Sequence, residues 1–137
     1  MVDLGDFVLM GNWDISPEPI DKVVIRLVPN PWCVYGQGYK QDTRDMLTAL
    51  KLAEPNQKRV CDIGTGNGIL AIAAAKLGAS KIVATDLSRE AIEVARANLT
   101  TNGVEVDLRL SSFPDAGDFD LVMANLFDDD ALEQNIA

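Results

Sequence analysis

From residue 59 onward, apolar and polar positions fall into blocks that predict a repeating strand–helix unit. Val60 to Ile63 is a short, mostly apolar run and predicts a strand over 60–63. The Ala-, Leu- and Ile-rich stretch that follows predicts a helix over 67–77. A strand over 81–85, a helix over 89–101, a strand over 104–110 and a strand over 119–124 complete the series. Gly78 and Gly103 stand where helices end on a left-handed residue, and Ser88 fits an N-cap. This alternation predicts an α/β fold with a parallel sheet and right-handed crossovers. Val104, Val106, Leu108 and Leu110 alternate with Glu105, Asp107 and Arg109, so that strand wets one face and belongs at an edge. The strand over 60–63 is apolar except for Asp62 and belongs in the middle. Counting strands from there, the predicted order is 3-2-1-4.

The first third of the chain is less regular. Phe7 to Met10 and Val23 to Val28 read as short strands, with a turn at Ser16-Pro17-Glu18-Pro19. Pro29-Asn30-Pro31 ends the second strand, because proline cannot donate to a ladder. Tyr35-Gly36-Gln37-Gly38-Tyr39 is a glycine loop, and a helix follows with Asp42 as its cap. Met46, Leu47, Leu50 and Ala53 form the apolar stripe of that helix, and Pro55-Asn56 closes it. Residues 1–30 thus carry N-terminal strands whose packing the pattern leaves open, and 31–137 form a ligand-binding domain.

The candidate chemistry lies at the end of the central strand. Asp62-Ile63-Gly64-Thr65-Gly66-Asn67-Gly68 joins a strand to a helix through three glycines at every second position. Such glycines allow a tight turn and let a ligand touch the backbone. A dinucleotide fingerprint needs Gly-x-Gly-x-x-Gly, which would put its third glycine at Ile69. Asp62, just before the turn, would repel a pyrophosphate but can hold a cationic or amino-bearing ligand. Asp86 ends the next strand about twenty residues on, where an acid reaches the ribose of a bound nucleoside. The plainer alternative is a tight strand-to-helix turn with no ligand, and the paired acids weigh against it.

Composition narrows the partners. A chain of 137 residues is one domain, and a net charge of −9 with no histidine argues against a nucleic-acid surface. It leaves open an amine or a basic protein as partner. Cys33 and Cys61 read as reduced thiols of a cytoplasmic protein, and no spacing suits a metal. The N-terminal residues lack a basic region and an apolar signal core, and no run approaches the ~20 apolar residues of a membrane span.

The acid-x-Gly-x-Gly-x-Gly block resembles motif I of class I S-adenosylmethionine (SAM)-dependent methyltransferases. Gly36-Gln37-Gly38, Thr43-Arg44, the run from Asp62 to Ala79 and Met123-Ala124-Asn125-Leu126-Phe127 together resemble the ribosomal protein L-eleven methyltransferase family. The resemblance implies a Rossmann-like class I methyltransferase fold and transfer of a methyl group from SAM to an amine or protein side chain. It implies that Asp62, Gly64 and Gly66 underlie the methionine moiety, that Asp86 holds the ribose and that Ser111 and Ser112 lie near the adenine. Thr65, Gly68, Leu87 and Thr43 count among the cofactor-binding residues on the same resemblance. Asn125 would face the reacting methyl and orient the acceptor amine. The loop Gly38-Tyr39-Lys40-Gln41-Asp42-Thr43 departs from the family, which carries a histidine and paired threonines there.

The family continues past its fourth strand, whereas this chain reaches Ala137 a dozen residues after Asn125, so its C-terminal strands are expected to be missing. A SAM-binding module or decayed fragment without turnover, acting as partner subunit or sensor, is the alternative to an enzyme. Leu121 to Ala124 is apolar throughout, as in a strand buried on both faces. Its open edge predicts a homodimer through that strand or the segment from Asp128 onward. In the competing arrangement, a monomer, the strand Val23–Val28 folds onto the same edge.

Overall fold

The computed structural model describes residues 1–29, 41–114 and 117–124. Cys33, the loop with Gly36 and Gly38, Asn125 and the segment from Asp128 onward lie outside the described residues.

The elements run β1 (Val2–Asp3), β2 (Phe7–Gly11), β3 (Val23–Leu27), α1 (Gln41–Leu52), β4 (Arg59–Ile63), α2 (Ile69–Lys76), β5 (Lys81–Asp86), α3 (Arg89–Asn102), β6 (Asp107–Leu110) and β7 (Leu121–Ala124). β4 to β7 form one parallel sheet in the order β6-β5-β4-β7, the predicted 3-2-1-4. The α/β class and the edge position of β6 are thereby borne out.

Several boundaries shift for local reasons. α2 starts at Ile69, not at residue 67, because Gly68 is its N-cap at φ 86°, a left-handed backbone outside the helix. β6 starts at Asp107, not at residue 104, because the Val104 N–H bonds back to the Leu99 carbonyl at the end of α3. β7 starts at Leu121: just before it, the Asp120 carboxylate accepts the Arg59 N–H at 2.8 Å. Asp42 lies in the first turn of α1 and does not precede it, a position where an acid suits the helix dipole. Ser88 caps α3 as expected, its Oγ accepting the Ala91 N–H.

Two expectations about the fourth strand are corrected. Leu121 and Met123 join the core under the helices, but Val122 points to the opposite face and is 59% exposed, so β7 is not buried on both faces. Nor does the strand at 23–27 fold onto the edge of β7. β3 pairs in parallel with β2, and β2 pairs antiparallel with β1, giving a separate three-stranded sheet. The other edge of β3 is closed by helix side chains. Lys76 Nζ donates to the Val24 carbonyl at 2.6 Å, and Asn102 both accepts the Arg26 N–H and donates to the Arg26 carbonyl. The Val28 N–H, just past the strand, donates to Asn98 Oδ1 at 2.8 Å. With these groups satisfied, β3 has no strand edge to offer β7.

One apolar core runs through both sheets. Phe7, Leu9 and Ile25 from the N-terminal sheet meet Leu47 and Leu50 of α1, α2, and Val60, Ile82 and Ala84 of the parallel sheet. Ile69 to Ala74 of α2 are all buried, which accounts for a helix that is apolar on every side. Buried Cys61 is a free thiol. Among the described residues no helix is long and apolar enough to cross a membrane.

Candidate functional site

The carboxyl ends of β4 and β5 bring together six of the predicted residues. The parallel register sets Asp62 opposite Ala84 and Ile63 opposite Thr85, so the turn after β4 lies beside the end of β5. Gly64, Gly66 and Gly68 take φ of 70°, 60° and 86°. Three left-handed residues in five are the physical reason for glycine at every second position. The turn is fastened at both sides: the Thr65 N–H donates to the Thr85 carbonyl at 2.8 Å, and the Gly68 N–H to the Thr65 carbonyl at 2.9 Å.

Asp62 is fully buried beneath this turn. Thr65 Oγ1 donates to its Oδ2 at 2.7 Å, while Oδ1 has no hydrogen-bond partner among the described residues. Burial pushes its carboxyl up to about 7; the Thr65 hydroxyl pulls the other way, the nearby Asp86 charge adds to the rise, and the Ala71 backbone N–H at the start of α2, outside hydrogen-bond geometry, lowers it slightly. A buried carboxylate with one free oxygen is suited to a cationic or hydrogen-donating ligand, whose arrival would supply the missing partner.

Asp86 is a structural fastener as well as a candidate ligand group. Its Oδ2 accepts the Gly66 N–H at 2.9 Å and its Oδ1 accepts the Ser88 N–H at 2.9 Å. An ionised carboxylate has about four acceptor positions, so two remain for ligand hydroxyls. Leu87 follows and is 75% exposed. Ser111 and Ser112 follow β6, where the Ser112 carbonyl accepts Thr85 Oγ1 at 3.4 Å and Ser111 Oγ donates to the Phe113 carbonyl. Thr43 is buried on α1, in line with Leu47 and Leu50, and its Oγ1 has no partner among the described residues. No hydrogen bond joins Thr43 to the glycine turn among the described residues.

Two residues of the turn's surroundings escape a sequence reading. Asn67 is buried, with its Nδ2 unpartnered among the described residues, and its carbonyl accepts Asn98 Nδ2 at 2.8 Å. Asn98 could have been noticed as the one polar residue on the α3 stripe of Ala91, Ile92, Val94, Ala95 and Leu99. A shallow groove of about 560 Å³ lined by Ser80, Lys81, Arg96 and Glu105 includes none of the site residues.

Residues 2–133 match the model of the family described as ribosomal protein L11 methyltransferase (PrmA). A ribosomal protein L11 methyltransferase of Caldicellulosiruptor saccharolyticus is 38% identical over 130 residues, covering 93% of this chain and 42% of that protein. One of Geobacter sulfurreducens is 42% identical over 128 residues, covering 90% and 40%. The chain therefore spans about two fifths of the length of these relatives. The crystal structure of a ribosomal protein L11 methylase from Lactobacillus delbrueckii subsp. bulgaricus superposes with a TM-score of 0.79 at 34% identity, covering 90% of this chain and 64% of that one. A T. thermophilus 16S rRNA methyltransferase solved with AdoMet and guanosine shares the fold, with a TM-score of 0.59 at 21% identity over 66% of this chain and 27% of that one.

Proposed function

The chain belongs to the ribosomal protein L11 methyltransferase family, and from that premise we propose that it binds SAM at the ends of β4 and β5 and methylates an amine of a protein. The observation that carries the reading is Asp62: a buried carboxylate with one unpartnered oxygen, under a three-glycine turn that Asp86 holds in place. SAM brings an ammonium, a sulfonium and a ribose, and the acids at these two strand ends match the amino group and the hydroxyls.

In this reading Asp62, Gly64, Thr65, Gly66 and Gly68 hold the methionine moiety, and Asp86 with Leu87 the ribose. Ser111 and Ser112 border the adenine, Thr43 lies beside the ligand, and Asn125 orients the acceptor. When bound, SAM supplies an electrophilic methyl group; transfer to an amine leaves the thioether S-adenosylhomocysteine and releases one proton. The protein's part is alignment, which can contribute several kcal/mol to a displacement of this kind. The acceptor proposed is a ribosomal protein, as the relatives' names state for them. The net charge of −9 suits a basic partner.

Calorimetry with SAM, S-adenosylhomocysteine and NAD tests the ligand: binding of the first two and not of NAD is expected. Transfer of labelled methyl from SAM to purified ribosomal proteins tests the reaction. NAD binding without SAM binding would sink the reading.

A further inference from the structure

The side-chain amide of Asn98 spans two parts of the molecule that are far apart in sequence. Its Oδ1 accepts the Val28 N–H just past β3, and its Nδ2 donates to the carbonyl of Asn67 inside the glycine turn, each at 2.8 Å. Only this orientation of the amide satisfies both neighbours, one a donor and one an acceptor. The side chain is 1% exposed, so neither bond has water as a ready substitute. Beside it, between the N-terminal sheet and the turn, lies a pocket of about 170 Å³ lined by Leu27, Val28, Asn67, Val94 and Asn98 among others. Across this seam the amide makes the polar connection.

We propose that Asn98 is a positioning residue that couples the glycine turn to the N-terminal sheet, so that ligand affinity at the turn depends on how β3 is seated. The carbonyl of Asn67 lies between Gly66 and Gly68, the residues whose left-handed backbone gives the turn its shape. Glycine offers little resistance of its own to a backbone change, so the shape has to be held from outside. Asp86 holds one side through Gly66, and Asn98 holds the other through Asn67. A shift of β3 therefore has a direct hydrogen-bonded route to the turn through Asn98, beside the packing of β3 on α2.

Asn102 provides the internal control. It lies one helical turn further along α3, bonds the Arg26 backbone twice and the Asn98 backbone carbonyl once, and closes the same strand edge without touching the glycine turn or the Asn98 amide. Asn98→Asp separates the two bonds of the bridge when the new side chain is ionised, so it is assayed at the alkaline end of the stable pH range: the carboxylate still accepts from Val28 but has no proton to donate to Asn67. Hydrogen exchange on the ligand-free protein is the first readout. Asn98→Asp should speed exchange of the Gly66 and Gly68 amides by about tenfold or more, and Asn102→Ala should leave them unchanged. The second readout, which rests on the SAM reading, is calorimetry. SAM affinity should fall about tenfold in Asn98→Asp and less than about threefold in Asn102→Ala.

Equal effects of the two variants on the turn, or none in Asn98→Asp, would overturn the coupling. If the unaltered protein binds no SAM, the functional reading fails while the exchange result still decides the coupling. Should Asn98→Asp not fold, native-state exchange of the unaltered protein decides it. The amides of Val28, Gly66 and Gly68 should open as one unit, and separate openings would refute the proposal.

Discussion

Thr65 Oγ1 donates to Asp62 Oδ2 at 2.7 Å, and this bond spans only three residues of sequence. It places a hydroxyl under the glycine turn against a carboxylate whose second oxygen is buried without a partner among the described residues. The pair therefore fixes the turn while leaving one strong acceptor available. That arrangement makes the ionisation of Asp62 a property the solution pH should reveal.

The folded-state pKa of Asp62 is about 7, above the ordinary 3.8. Between those values the folded protein holds a proton that the unfolded chain has released, so stability falls as pH rises through the window and levels off above it. The slope from this one group is at most about 1.4 kcal/mol per pH unit. Asp3, Asp14, Asp107 and Asp120 are shifted below 3.8, so their opposite contributions lie at lower pH. Asp62→Asn should flatten the profile between about pH 4 and 7. Urea unfolding at four pH values checks this, and an unchanged slope in the variant would contradict it.

Cation binding should reverse the cost of ionising Asp62. At pH 6 the carboxyl is mostly protonated, so capture of the SAM ammonium should release a proton and be weaker than at pH 8. Calorimetry in two buffers of different ionisation enthalpy reads the proton count directly. Proton release at pH 6 and little at pH 8 is the expected pattern, and Asp62→Asn should show neither.

Asp86→Ala removes the acceptor of the Gly66 and Ser88 amides along with the proposed ribose partner. Hydrogen bonds to a charged group contribute about 1.5–3 kcal/mol, so SAM affinity should drop by roughly 10- to 150-fold. Thermal stability should fall too, because two backbone donors lose their partner. A variant with unchanged affinity would show that the ligand does not use this acid.

What could be read from the sequence follows from how local each constraint is. The order of β6, β5, β4 and β7 was legible because each strand–helix unit carries its own hydrophobic period and because parallel crossovers have one hand. The glycine turn was legible because left-handed backbone at residues 64, 66 and 68 admits little else. The N-terminal sheet was not. Its closing bonds join Lys76 to Val24, Asn98 to Val28 and Asn102 to Arg26, separations of 52, 70 and 76 residues that leave no local pattern. Asn98 and Asn67 escaped for the same reason: their roles exist only after α3 has packed beside the turn.

Asn125→Ala tests the acceptor side of the proposal. The resemblance assigns this residue to orienting the target amine, so the variant should lose turnover while SAM affinity stays within about threefold of the original. Single-turnover methyl transfer measured beside calorimetry separates the two quantities. Equal losses in both would move Asn125 to the cofactor side.

Gly68 and Gly103 make a matched pair for the last test. Both are left-handed, at φ 86° and 66°, and both cap a helix, Gly68 before α2 and Gly103 after α3. A methyl added at Gly103 meets nothing within 4 Å, whereas at Gly68 it would stand 3.4 Å from Ala95 Cβ. The left-handed backbone alone should cost either alanine variant about 1–2 kcal/mol. Gly68→Ala makes only ordinary van der Waals contact with α3 but puts its backbone strain inside the glycine turn, so it should melt lower and also weaken SAM binding. Gly103→Ala should melt lower with its affinity intact, because its strain is confined to the far end of α3. Paired melting curves and titrations decide it: equal loss of affinity in both variants would mean that binding follows overall stability, not the shape of the glycine turn.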